Sequence, residues 1–147
     1  MSKIIALNVP NKESFPITSA TITTGWMPGQ GMKLNTTGDY AEVSSVDTTM
    51  FIAMDDDLEV VNPPSASLVT GIYGSGTKFI IDHSEEVAAS SATRAYNANL
   101  ESAATNQLVY IGSDGKWTTA VTGSVKAQVF QVPSALNNYG LGLILRF

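Results

Sequence analysis

The sequence predicts an all-β protein, either a small barrel or a sandwich, with an extended N-terminal arm and at most one short helix. Short alternating or apolar runs separated by frequent turn signals favour strands. The 147 residues include 12 glycines and 6 prolines, and only 14% are charged, against about 25% in an average domain. A low charge with many hydroxyl side chains is typical of rigid β-proteins that pack against other subunits.

One domain accounts for the whole length, because a chain of this size buries enough apolar surface to fold without crosslinks. The absence of cysteine excludes disulfides and thiolate metal sites. We divide the chain into an arm, residues 1–35, and a body, residues 36–147. Pro10, Pro16 and Pro28 interrupt regular structure in the arm, where we expect one strand, over residues 20–24.

The first half of the body reads as a series of strands. Residues 39–45 alternate, and residues 50–54 are continuously apolar, as in a strand that is buried on both faces or lies at an apolar interface. A further strand is expected at residues 58–61. Residues 67–73 and 78–82 flank a Gly-Ser-Gly loop and predict a hairpin.

The second half ends in the clearest pattern. Residues 84–107 are rich in alanine but also in serine and asparagine, so both a short helix and irregular structure stay open. A second hairpin is expected from residues 107–121, with Trp117, Thr119 and Val121 on one face. Two further strands are expected. Residues 125–129 alternate and Pro133 ends that run, and in the last strand Leu141, Leu143, Leu145 and Phe147 share one face.

The composition argues against several classes of function. A net charge of −5 disfavours binding to nucleic-acid phosphates, and no apolar run approaches the ~18 residues of a membrane span. The glycine-rich residues 71–78 lack the Gly-Lys order and following helix of a phosphate loop. We find no nucleophile–histidine–acid set and no metal-ligand spacing, so we expect no enzyme activity, metal or cofactor.

Two features favour binding. Asp55, Asp56 and Asp57 form the densest acidic cluster, which we interpret as a solvated patch or a contact for a basic partner. Trp26 and Trp117, with the tyrosines, are either a carbohydrate platform or core and subunit contacts.

Three segments near the C-terminus carry a resemblance to a family. They are the hairpin Leu108-Val109-Tyr110 followed by Gly115-Lys116, the strand that ends at Val132-Pro133, and the closing Leu141-Gly142-Leu143-Ile144-Leu145. This pattern resembles the capsid decoration, or cement, proteins of tailed bacteriophages. The resemblance covers mainly residues 107–147 and, more loosely, residues 71–82.

The resemblance implies a structural virion protein, made in the host cytoplasm, that binds the outer surface of the expanded head and stabilises the lattice of the major capsid protein. It also implies self-association as a homotrimer or a dimer. Alternatives are a tail, collar or fibre-base subunit, and a virion-displayed carbohydrate-binding β-module. The expected partner-binding residues lie in the arm and the acidic cluster: Pro10, Phe15, Pro16, Trp26, Met27, Asp55, Asp56 and Asp57.

Overall fold

The computed structural model describes residues 3–8, 11–16, 26–35, 41–44, 48–54, 68–82, 94–133 and 140–147. Two antiparallel sheets, which do not close into a barrel, face each other as a sandwich, so the predicted all-β fold is confirmed. The strands are β1 (Lys3–Ala6), β2 (Asn11–Pro16), β3 (Gly31–Leu34), β4 (Ala41–Val43), β5 (Phe51–Met54), β6 (Leu68–Tyr73), β7 (Lys78–Asp82), β8 (Leu108–Ile111), β9 (Trp117–Thr118), β10 (Ala127–Gln131) and β11 (Leu141–Leu145).

The first sheet has the strand order β1-β7-β11-β10-β8-β9, and the second sheet has the order β2-β6-β5-β3-β4. Alternate residues of the first sheet point towards the second, as the two-residue period of a strand requires. From β11, Leu141, Leu143 and Leu145 are fully buried. Ile52 and Ile72 meet them from the second sheet and complete one inter-sheet core. The alternation predicted for the last strand is therefore confirmed.

The described part of residues 1–35 contributes to both sheets. β1 pairs with β7, and Ile4 is buried in the inter-sheet core. β2 pairs with β6 along six residues, and β3 pairs with β4 and β5. The division at residue 35 stays a prediction, and the strand expected at residues 20–24 lies outside the described residues, as does the one expected at residues 58–61.

The hairpin predicted for β6 and β7 is wrong, although both strands exist. β6 pairs with β2 and β5 in the second sheet, whereas β7 pairs with β1 and β11 in the first. The chain changes sheets at Gly74 and Gly76, which have φ values of +105° and +90°, a region that favours glycine. The turn residues are compatible with either connection, so the sequence alone does not distinguish a hairpin from this corner.

The hairpin of β8 and β9 is confirmed, but its second strand is shorter than predicted. β9 ends at Thr118, whose hydroxyl accepts a hydrogen bond from the Ala120 amide at 3.1 Å. This local bond turns the chain out of the sheet. Trp117 is therefore fully buried while Val121 is 77% exposed, and the shared face predicted for them does not form.

Helical structure within the described residues is limited to one 3₁₀-helix, Ala98–Ser102, with Leu100 buried beneath it. This helix lies within residues 84–107, for which the sequence allowed both a short helix and irregular structure. Just before it, the backbone of Trp117 bonds to the Ala95 carbonyl and the Asn97 amide, both at 2.9 Å. The irregular chain is thus attached to the end of the first sheet.

A short stretch, residues 26–31, connects the two sheets, and we call it the crossing segment. The Gly29 amide donates to the Ala53 carbonyl of the second sheet at 2.7 Å. The Gly29 carbonyl accepts the indole N–H of Trp117, in the first sheet, at 2.9 Å. The Gln30 side chain adds a bond to the Asp114 carbonyl at 3.0 Å. One residue, Gly29, therefore bonds directly to both sheets.

Only glycine fits at the centre of the crossing segment. Gly29 has a φ of +98°, and a Cβ there would lie 2.8 Å from the Cβ of Ala95. Both the left-handed backbone and this close approach exclude a side chain. The bond to Trp117 therefore depends on the absence of a side chain at position 29.

A buried charged group holds the segment before the 3₁₀-helix. Arg94 is 4% exposed and forms an ion pair with Glu101 at 2.5 Å. Its guanidinium carbon lies 4.6 Å from the centroid of the Tyr96 ring. Burial raises the pKa of Tyr96 to about 12, and the positive charge of Arg94 partly offsets this effect.

We expect Trp117→Phe to destabilise the protein more than Trp26→Phe. Both indoles are buried, but the Trp117 indole donates a hydrogen bond, whereas the Trp26 indole N–H has no partner among the residues that the structure describes. Trp117→Phe leaves the Gly29 carbonyl unsatisfied. We therefore expect it to lower the free energy of unfolding by about 1–3 kcal/mol more than Trp26→Phe does. Urea unfolding of the two variants measures the difference, and equal losses would contradict the role given to this bond.

Stability is also expected to fall between pH 10 and pH 12. The unfolded chain loses the Tyr96 proton near the ordinary pKa of 10.0, whereas the folded chain keeps it until the pKa of about 12. The stabilising contribution is therefore full below pH 10 and is lost as the pH rises towards 12. In Tyr96→Phe, unfolding in this range should release about one proton fewer; an unchanged pH dependence of the unfolding free energy would refute this.

Candidate functional site

The central strand of the second sheet, β5, is apolar on both faces. In β5, Ile52 points into the inter-sheet core, so Phe51 and Ala53 point to the opposite, outer face. They join a separate group of buried side chains there, which we call the outer cluster: Trp26, Met32, Phe51, Ala53 and Val69. The continuous apolar run of residues 50–54 predicted such a strand, and the structure confirms it.

An aromatic stack rises from the outer cluster. A Cβ built on Gly71 would overlap the Phe51 ring, so this ring lies flat on the glycine backbone. The Phe15 ring stacks on Phe51 with their centroids 4.3 Å apart and 13° between their planes. Phe15 is only half-buried. The stack therefore presents an aromatic ring at the outer surface.

A groove of about 310 Å³ opens beside this stack. Three of its lining residues contribute apolar surface that water reaches: Met50 is 53% exposed, and Phe15 and Leu34 are half-buried. An exposed apolar surface of this kind marks an interaction site more often than an isolated apolar residue does. The groove is lined by Glu13, Phe15, Leu34, Met50, Phe51 and Tyr73.

Glu13 is the one charged residue among the described residues that line the groove. It makes no salt bridge with any residue that the structure describes. Lys33 and Glu42 form a salt bridge at 3.6 Å on neighbouring strands of the same sheet. Lys33 alternates with Met32 and Leu34, so this pair lies on the face opposite the groove. The groove is thus an apolar surface with one negative charge at its β2 end.

The structure brings together two of the residues predicted to bind a partner. Phe15 lines the groove, and Trp26 belongs to the outer cluster beneath it. Met27 packs instead against the inter-sheet core. The backbone of Pro16 pairs with Leu68 at the end of β2. Pro10 and residues 55–57 lie outside the described residues.

Sequence analysis did not identify Glu13 or Leu34 as site residues, and it considered Tyr73 only with the other tyrosines, as part of a carbohydrate platform or as a core or subunit contact. Glu13 and Tyr73 are 60 positions apart and meet because β2 pairs with β6 from Asn11↔Tyr73 to Pro16↔Leu68. This register is not visible in the sequence. The only available signal was the double-faced apolar pattern of residues 50–54.

The outer face of the first sheet is a second, flatter apolar surface. Ile5 and Leu108 are each 44% exposed there. Lys78 covers part of this face, with its ammonium 4.4 Å from the centroid of the Phe130 ring. The groove of about 310 Å³ lies on the second sheet, so we take that face as the candidate site.

Among the described residues, no three His, Cys, Asp or Glu side chains are grouped as metal ligands would be. No helix in this part of the chain is long and apolar enough to span a membrane. No protein-family model matches the sequence, and a search of the curated proteins found no match.

We expect Gly71→Ala to disrupt the aromatic stack. The added methyl group must displace the Phe51 ring, which should destabilise the protein by about 1–3 kcal/mol and separate Phe15 from Phe51. Urea unfolding and the ring-proton chemical shifts of Phe15 report the two effects. Gly112→Ala is the control, because its Cβ would lie no closer than 3.3 Å to a neighbouring atom. Equal effects of both substitutions would contradict the packing described.

Proposed function

We propose that this protein is a structural binding protein of a tailed-phage virion, which attaches to the outside of the expanded head and stabilises the lattice of the major capsid protein. The groove on the outer face of the second sheet carries this proposal. Its stacked rings and the exposed Met50 offer apolar surface for a protein partner. The resemblance of the β8–β9 hairpin and the last two strands to decoration proteins supports the choice of partner.

A rigid sandwich suits this task for a physical reason. A partner that binds one state of a lattice and not the other shifts the equilibrium towards the bound state, by an amount that depends on the ligand concentration and its dissociation constant. In the proposed function, the capsid surface that fits the groove exists only after expansion. The preformed stack of Phe15 on Phe51 reduces the ordering that binding requires.

The size of the groove indicates how attachment is strengthened. A stable protein–protein interface takes roughly 20–30 residues from each partner, whereas six of the described residues line the groove. The groove therefore acts as an anchor inside a wider contact, as a hot spot does. Self-association, as a trimer or a dimer, would add strength by multivalency.

The carbohydrate-binding alternative receives less support than the capsid proposal. The two tryptophans of the expected sugar platform are withdrawn from the surface, because Trp26 is 5% exposed and Trp117 is fully buried. The aromatic rings that line the groove, Phe15, Phe51 and Tyr73, stand among apolar neighbours. A tail, collar or fibre-base subunit uses the same kind of apolar surface, so it differs from a decoration protein only in its partner.

The test is co-sedimentation of the purified protein with expanded and unexpanded heads of its phage, and with purified tails. We expect saturable binding to expanded heads alone, near an integer ratio to the major capsid protein. Leu108→Ala, a substitution at an exposed residue away from the groove, is expected to bind as the wild type does. Binding to tails alone would favour the tail subunit, and equal binding to both head forms would refute the proposed mechanism.

A further inference from the structure

We propose that the groove receives an extended, apolar peptide segment that carries a lysine or arginine beside Glu13. The chemistry of this occupant follows from the groove itself. Its assignment to a capsid protein rests on the proposed function above.

The lining favours an apolar peptide over a sugar. Among the described residues of the lining, Glu13 and Tyr73 carry side-chain polar atoms, whereas Phe15, Leu34, Met50 and Phe51 present carbon or sulfur. A sugar would leave most of its hydroxyl groups without hydrogen-bond partners on such a surface, which is unfavourable. Apolar side chains gain by leaving water at the same place.

The dimensions of the groove favour an extended chain. Its lining residues come from β2, β6, β3 and the start of β5, so it crosses four neighbouring strands. At about 4.8 Å between strands, the groove spans roughly 14 Å, the length of about four extended residues. A helix, about 10–12 Å wide with its side chains, would reach the groove with one face only, whereas an extended chain of about four residues matches its span.

Charge complementarity determines the polar part of the occupant. Glu13 is the one charge in the lining, and it has no salt bridge within the described residues. The whole chain carries a net charge of −5, which attracts a basic partner over longer distances. Because Glu13 lies on β2, the basic residue of the occupant lies at this end of the groove and its apolar residues lie towards Leu34.

The experiment is an NMR titration of the full-length protein with two matched hexapeptides. One has a lysine followed by alternating valine and threonine, and the other has glutamate in place of the lysine. We expect the lysine peptide to bind at least about fivefold more tightly, with shifts confined to residues around the groove. Glu13→Lys should reverse this preference, and Glu13→Gln should abolish it.

Two substitutions away from the groove, Glu42→Gln and Leu108→Ala, are the controls for Glu13→Gln and Met50→Ala. Glu42→Gln removes a carboxylate from the opposite face of the same sheet, and we expect it to retain the preference for lysine. Met50→Ala should weaken binding of the lysine peptide several-fold, whereas Leu108→Ala, at a residue of similar exposure, should not. Thermal unfolding of each variant verifies that it is folded.

Several results would overturn the inference. These are failure of both peptides to bind, equal binding of both, shifts outside the groove, tighter binding of a hexasaccharide, or sedimentation showing that a second copy of the chain fills the groove.

Head binding separates the two proposals. If Glu13→Lys and Met50→Ala bind expanded heads as the wild type does, the inference fails and the function stands. If neither the wild type nor any variant binds heads but the wild type prefers the lysine peptide, the function fails and the inference stands.

Discussion

The hydrogen bond from the Trp117 indole to the Gly29 carbonyl is the contact on which the arrangement of the two sheets depends. It connects the first sheet to a segment whose next bond, from the Gly29 amide to Ala53, belongs to the second sheet. Because the bond is buried, water cannot replace it if it is broken. A glycine with left-handed backbone thus joins the two sheets directly, beside the bond from Gln30 to Asp114 and the shared inter-sheet core.

This connection has a consequence for the surface. Ala53 belongs to the same strand as Phe51, so the bond to Gly29 also positions the strand that carries the aromatic stack. The inner side of that strand is held by the inter-sheet core through Ile52, and its outer side by Trp26 and Met32. The groove is therefore built on a strand that is restrained on both faces, and this rigidity suits a surface that must fit one state of a partner.

The sequence was most informative where the apolar pattern within a single strand indicates which of its faces are buried. The alternation of residues 141–145 predicted their buried face, and the apolar run of residues 50–54 predicted a strand buried on both sides. The connection between β6 and β7 was not predictable, because a Gly-Ser-Gly turn joins strands of one sheet or of two. The groove was only partly predictable, since Glu13 and Phe15 meet Tyr73 through a strand register that no local pattern encodes.

The central claim is that the outer face of the second sheet is the binding surface. Hydrogen exchange of the full-length protein, alone and bound to expanded heads, tests it most directly. The account predicts slower exchange on binding for the amides of residues 11–16, 50–54 and 68–73, with no change at residues 105–111. Protection confined to the outer face of the first sheet, around Ile5 and Leu108, would contradict it.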